Sequence, residues 1–152
     1  MVTLRDVTET NFEHLIALSV REDQPFVAPN VYSIAQAKIY PEATIKGIYL
    51  DEMAVGFLMF GRDDEDVKEP APWLIRFMID ARYQGKGYGK EALKLTLEAM
   101  TLTYPGEPIY LSTNPNNQAG IAFYEAFGFV STGSIQHDEL VFVRPPEVRH
   151  HE

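Results

Sequence analysis

The sequence predicts an α/β (α+β) fold: a single mixed, largely antiparallel sheet of about six to seven strands, with helices on both faces. Three observations predict it. Short β-branched and aromatic runs alternate with segments whose apolar residues recur at helical spacing. One such run, residues 73–79, empties into a turn with glycine at 85, 87 and 89 and then into a helix. A second helix, at residues 117–127, is followed by Gly128, a residue suited to closing a helix, and by another strand.

Taken in order, residues 2–7 form a short strand, and Thr10 or Asn11 caps a helix carrying Phe12, Leu15, Ile16 and Leu18. Residues 33–40 form a second short helix stopped by Pro41. Residues 45–50 and 53–60 pair as a hairpin across Asp51 and Glu52. Residues 61–72, with four consecutive acids and two prolines, read as a polar loop. A strand follows at 73–79 and a helix at 89–102, with Ala92, Leu93, Leu97 and Met100 as its apolar positions. Residues 108–112, 129–132 and 140–143 supply the last strands around the helix at 117–127. The order is therefore β-α-α-β-β-β-α-β-α-β-β. Residues 1–146 form one domain, and 147–152 are expected to be a disordered tail.

Bulk properties narrow the function. The chain has 152 residues, 45% of them apolar, enough for a real core. It carries no run long enough for a membrane span and no signal-peptide pattern near Met1, so a cytoplasmic location is expected. Cysteine is absent, which removes disulfides, thiolate metal sites and thiol nucleophiles together. The four histidines show no metal-binding spacing, and no metal is expected. A net charge of −9 disfavours nucleic acid and attracts cationic small molecules.

The glycine turn is the chemical signal. Glycines leave backbone N–H groups bare where a helix begins, which suits a phosphate or pyrophosphate. A Walker A loop fails, since Gln84 stands at its first glycine and Glu91 follows Lys90. A dinucleotide fingerprint matches Gly87, Gly89 and Ala92, but the next strand runs out as Ser112, Thr113 and Asn114 without the required acid.

The remaining pattern is [QR]-x-x-G-x-[GA], met by Gln84, Gly87 and Gly89. It occurs with a second element, N-x-x-A-x-x-x-Y-E-x-x-G-F, met at Asn117, Tyr124, Glu125, Gly128 and Phe129, with Gly120 where alanine is usual. With both in order, the chain resembles the GCN5-related N-acetyltransferases over its whole length. Residues 19–42 and 73–80 resemble bacterial spermine/spermidine acetyltransferases of the diamine type.

That resemblance implies acetyl-CoA as co-substrate, with its pyrophosphate on the backbone of Gln84, Gly85, Lys86, Gly87, Tyr88, Gly89 and Lys90. Lys86 and Lys90 either add charge to that grip or are solvated. It implies that the strand end at Met78 and Ile79 bonds the pantetheine arm, with an amide near Met78 polarising the thioester carbonyl. Tyr124 is then the general acid toward sulfur, over a small residue at 120 that keeps the approach open. Asn117 either caps its helix, contacts CoA, or does both.

The resemblance further implies that the acceptor is a primary amine of spermidine or spermine, of which about one molecule in a thousand is neutral at pH 7. Glu22, Asp23, Glu42 and Asp80 are the carboxylates that stand as proton acceptors, and no choice among them follows from the sequence. Glu22, Asp23, Tyr32 and Glu42 are the expected acceptor-binding residues, with Tyr40 beside them. Direct attack in a ternary complex is expected, since no nucleophile elbow is present. Acetylation of a protein N-terminus, a lysine, a peptide or an aminoglycoside stays open, as does a non-catalytic CoA sensor. The resemblance also implies a homodimer.

Overall fold

The computed structural model describes residues 1–21, 28–63 and 70–146. The expected acidic pair Glu22 and Asp23, part of the polar loop, and the tail from 147 lie outside the described residues. Among the described residues there are seven strands and four α-helices: β1 (Val2–Asp6), α1 (Phe12–Ile16), α2 (Asn30–Ile39), β2 (Thr44–Leu50), β3 (Met53–Asp63), β4 (Ala71–Ile79), α3 (Tyr88–Thr103), β5 (Ile109–Thr113), α4 (Gln118–Glu125), β6 (Val130–Gln136) and β7 (Glu139–Arg144). The expected order of elements holds throughout. The seven strands form a single sheet in the order β1-β2-β3-β4-β5-β7-β6, parallel only between β4 and β5. Among the described residues no helix is long and apolar enough to cross a membrane.

Boundaries shift for local reasons. Helix α2 begins at Asn30, earlier than residue 33, because Pro29 supplies an extended entry and Asn30 is itself buried. The Asn30 side chain donates to the Leu15 carbonyl at 2.8 Å, tying α2 to the end of α1. The helix stops at Ile39 because Tyr40 precedes Pro41 and is forced extended. Strand β3 runs on to Asp63 and β4 starts at Ala71, so the hairpin is longer than the apolar runs alone suggest.

Two cores sandwich the sheet. Beneath α3, the residues Ala92, Leu93, Leu97 and Met100 pack with Ile48, Val55, Leu58, Leu74, Ile109, Leu111 and Phe142. Burial of a side chain such as Leu93 or Met100 contributes about 1.5–3 kcal/mol, which anchors the helix despite its polar outer face. Beneath α1 and α2, Leu15 and Leu18 pack with Tyr49, Phe57, Met59 and Met78.

One irregularity in β4 matters for everything that follows. Met59 of β3 pairs with Arg76 while the next residue, Phe60, pairs with Leu74, so Ile75 is an extra residue. The bulge reverses the in–out alternation: Leu74 and then Phe77 and Ile79 face the α3 core, whereas Ile75 and Met78 face the α1–α2 core. A bulge also bends and twists its strand. Accordingly β4 and β5 touch in register only at Trp73 and Tyr110, whose rings stack at 5.4 Å, and part beyond that point.

Candidate active site

The parting of β4 from β5 opens a cleft of about 760 Å³ through the sheet. Trp73–Ile79 of β4 and Leu111–Thr113 of β5 form its walls. On the α3–α4 side it is lined by Tyr83, Gln84, Gly85, Gly89, Asn117, Gly120, Phe123 and Tyr124. On the α1–α2 side it is lined by Val20, Ala28, Gln36, Arg76, Gln136, His137 and Glu139.

The glycine turn enters α3 as a left-handed step. Gly85 and Gly87 have φ of +77° and +87°, and Gly87 occupies the cap position of the helix. The Gln84 amide group folds back to donate to the Ile79 carbonyl at 2.9 Å, closing the turn onto β4. The amides of residues 85–90 donate to no acceptor among the described residues. Six bare donors at the positive end of a sixteen-residue helix form an anion cradle. Lys86 and Lys90 are exposed at its rim.

Strand direction assigns the backbone groups of β4. The Asp80 amide donates to Val55 of β3 at 2.8 Å, and alternation therefore turns the polar groups of Met78 toward β3 as well. Those of Phe77 and Ile79 point toward the cleft, as the Gln84 contact with the Ile79 carbonyl attests. The backbone groups of Met78, expected near a bound carbonyl, are thus turned toward β3, and those of Phe77 toward the cleft.

Tyr124 sits on α4 between Phe123 and Phe129, edge-on to both rings at 5.4 and 5.9 Å. Its hydroxyl bonds no described residue, and burial pushes its pKa above the ordinary phenol value. It is therefore protonated at neutral pH. The helix that carries it is capped by Asn117, whose side chain accepts from the Gly120 amide at 3.1 Å and donates to Thr113 Oγ1 at 3.2 Å. Gly120 has a local reason to be glycine: a Cβ there would lie 2.4 Å from Asn117 Nδ2. The small residue at 120 is thus required by the Asn117 cap. At the far end Gly128 takes φ +92° and the Phe129 amide returns to the Tyr124 carbonyl at 3.3 Å, closing the helix.

The acceptor-side expectations fare differently. Asp80 does not line the cleft. Its carboxylate is 3% exposed and accepts from Ser19 N, Arg82 N and Arg82 Nε at 2.9–3.0 Å. Burial opposes its charge, but the Arg82 and Ser19 donors outweigh that and hold it below the usual carboxylate range. Asp80 is a clamp between β4 and the segment after α1, its two carboxylate oxygens each engaged by protein donors. Glu42 is exposed and its titratable neighbours are Arg62 and Tyr104. Tyr104 ends α3, so Glu42 stands near the opposite end of that helix from the glycine turn, about 24 Å away for sixteen residues. Tyr32 and Tyr40 are more than half exposed and neither lines the cleft. Two charged lining residues were not anticipated, Arg76 and Glu139. Arg76 was visible as a lone charge inside an apolar strand; Glu139 carried no local signal.

The cleft thus brings together a split sheet, a helix start with bare amides and the half-buried phenol of Tyr124. The sequence profile of the acetyltransferase (GNAT) family matches residues 7–129. Spermine/spermidine N(1)-acetyltransferase of Bacillus subtilis (strain 168) is 34% identical over 148 residues, covering 94% of this chain and 97% of that protein. A probable spermine N(1)-acetyltransferase of Bacillus subtilis subsp. natto (strain BEST195) matches to the same extent. Among solved structures, the PaiA N-acetyltransferase of Thermoplasma acidophilum in complex with coenzyme A superposes with a TM-score of 0.70 at 16% identity, over 95% of this chain and 99% of that one. Arabidopsis thaliana Naa50 in complex with the bisubstrate analogue CoA-Ac-MVNAL superposes with a TM-score of 0.63 at 24% identity, over 93% and 95%. The chain belongs to the acetyltransferase (GNAT) family, and it is an acyltransferase.

Proposed function

We propose that this acyltransferase moves the acetyl group of acetyl-CoA to a primary amine of spermidine or spermine, by direct attack in a ternary complex. The observation that carries the reading is the row of six unengaged amides at residues 85–90, opening on the same cleft as Tyr124. The amine is supported by the named activity of the Bacillus relatives and by the net charge of −9. Acetyl-CoA, when bound, supplies an acetyl group activated as a thioester.

The chain's own groups then divide the work. The amides of residues 85–90 and the start of α3 hold the pyrophosphate, where the absence of Cβ atoms at Gly85 and Gly87 lets the backbone approach. The main chain of Phe77 and Ile79 bonds the pantetheine arm, and the Phe77 amide polarises the acetyl carbonyl. Tyr124 holds its proton until charge forms on sulfur within the same buried cleft, then donates it.

A thiol-release assay with spermidine, spermine, peptides and aminoglycosides tests this. The fastest turnover is expected with a polyamine. Turnover confined to peptides or aminoglycosides overturns the acceptor, and no affinity for acetyl-CoA overturns the whole reading.

A further inference from the structure

The acceptor half of the cleft contains one acid and one permanent cation among its described lining residues, Glu139 and Arg76. Their placement is rigid. Glu139 opens β7 directly after His137 and Asp138, which take φ of +49° and +63° as the two centres of a tight hairpin turn, with Gln136 paired to Glu139. Ser112 of β5 donates to Glu139 Oε1 at 2.9 Å, so the carboxylate is fixed on the cleft wall at the level where β4 has already departed. No described residue engages Oε2.

Opposite stands Arg76, delivered to the α2 side by the bulge. Its Nη1 donates to the Ile75 carbonyl at 2.9 Å and its Nη2 to Gln36 Oε1 at 3.4 Å, while its buried Nε has no acceptor. Burial lowers the Arg76 pKa, and the charge of Glu139 is the first influence that restores it. The two therefore sense each other, yet no ion pair joins them among the described residues. A space is left between a carboxylate with a free oxygen and a guanidinium that repels a second cation.

Building on the proposed transfer, we infer that Glu139 receives the acceptor amine and takes its proton, with Arg76 as a positioning residue that keeps the reacting nitrogen from remaining an ammonium. One N–H bond of the ammonium breaks and Glu139 Oε2 takes the proton. The freed lone pair forms the N–C bond to the acetyl carbonyl as the C–S bond breaks. Tyr124 gives its proton to sulfur, the second N–H bond breaks and that proton passes through solvent in the cleft to restore the Tyr124 phenol, and Glu139 returns the first proton to solvent as the one net proton released. Among the described residues, the titratable or charged groups around Glu139 are Arg76 of β4 and His137 and Asp138 of the turn, with Tyr32 of α2 beyond Arg76; Ser112 is a fixed donor.

The test compares Glu139→Gln with wild type, using the amine wild type acetylates fastest, across pH 6–10, with acetyl-CoA affinity measured by calorimetry. Glutamine keeps the Ser112 contact and the shape but cannot take a proton. At pH 7 kcat is expected to fall about 100-fold, the scale of a lost general base. The deficit should shrink steadily as pH approaches the amine's own pKa near 10, about where neutral amine no longer needs a base. Acetyl-CoA affinity should stay within about twofold by the same reasoning, since the donor half is untouched. Ser112→Ala, which leaves the carboxylate in place, should give the same pH-dependent deficit at a few-fold. A deficit equal at every pH, or none, overturns the assignment while wild-type turnover leaves the proposed function standing. A wild type that acetylates no amine overturns both.

Discussion

The two halves of the cleft are built by different means. The α3–α4 half is local: its bare amides are six consecutive ones, and its Tyr124 phenol, cap and helix closure fall within Asn117–Phe129. The α1–α2 half is assembled from distant pieces, with Val20 after α1, Gln36 on α2, Arg76 on a bulge, Ser112 on β5 and Glu139 on β7. The first half presents backbone groups, which any sequence with the right glycines can supply. The second presents side chains gathered from five separate segments. The difference teaches that one half of a cleft can be set by neighbours in sequence while the other waits on tertiary structure.

Five substitutions break or sharpen that contrast. Tyr124→Phe should lower kcat by about 10²–10⁴-fold while acetyl-CoA still binds, because only the proton donor is removed; unchanged turnover in the thiol-release assay takes Tyr124 out of the chemistry. Gly87→Ala should raise the acetyl-CoA Kd about tenfold. The turn would relieve roughly 1–2 kcal/mol of left-handed strain by moving its amides. An unaltered Kd by calorimetry would mean that those amides bind nothing.

Asp80→Ala attacks the clamp between the halves. Loss of a buried acceptor that serves Ser19 and Arg82 should cost about 1–3 kcal/mol in denaturant unfolding at pH 7. The sign with pH follows from its depressed pKa. The wild-type advantage is fully present above the ordinary carboxylate range and is lost as pH falls through the folded-state value below it. A gap that stays constant on acidification would show that the Asp80 charge contributes nothing.

Gly120→Ala should cost about 1 kcal/mol by pushing Asn117 out of its cap, read as a drop in Tm. An unshifted Tm means the side chain finds another cap without loss. Smallest of all, Glu42→Gln should leave the amine KM within about twofold, since it lies beside the far end of α3. A marked rise in KM would bring that residue back to the acceptor site.

Much of this was legible along the chain because it depends on neighbours in sequence. The bare amides at 85–90 need only glycine and a helix start, and Tyr124 stands one turn after Gly120 whatever surrounds it. Even the Asn117 cap is a three-residue affair. What was illegible depended on register. No local rule separates Met78 from Phe77 as the residue whose amide faces the cleft, because the extra residue at Ile75 resets the alternation. Asp80 looked like an available carboxylate until Ser19, 61 residues away, was seen to occupy it. Glu139 had no motif at all; its partner Ser112 is 27 residues distant.

Sequence alone therefore determined the order of elements, the glycine turn with its bare amides and the place of Tyr124 on its helix, since short-range backbone geometry and helical periodicity act within a few residues. Tertiary structure decided which backbone groups and which carboxylate face the cleft. A one-residue bulge and a tight turn set strand register there, and register brings together side chains that the chain itself keeps far apart.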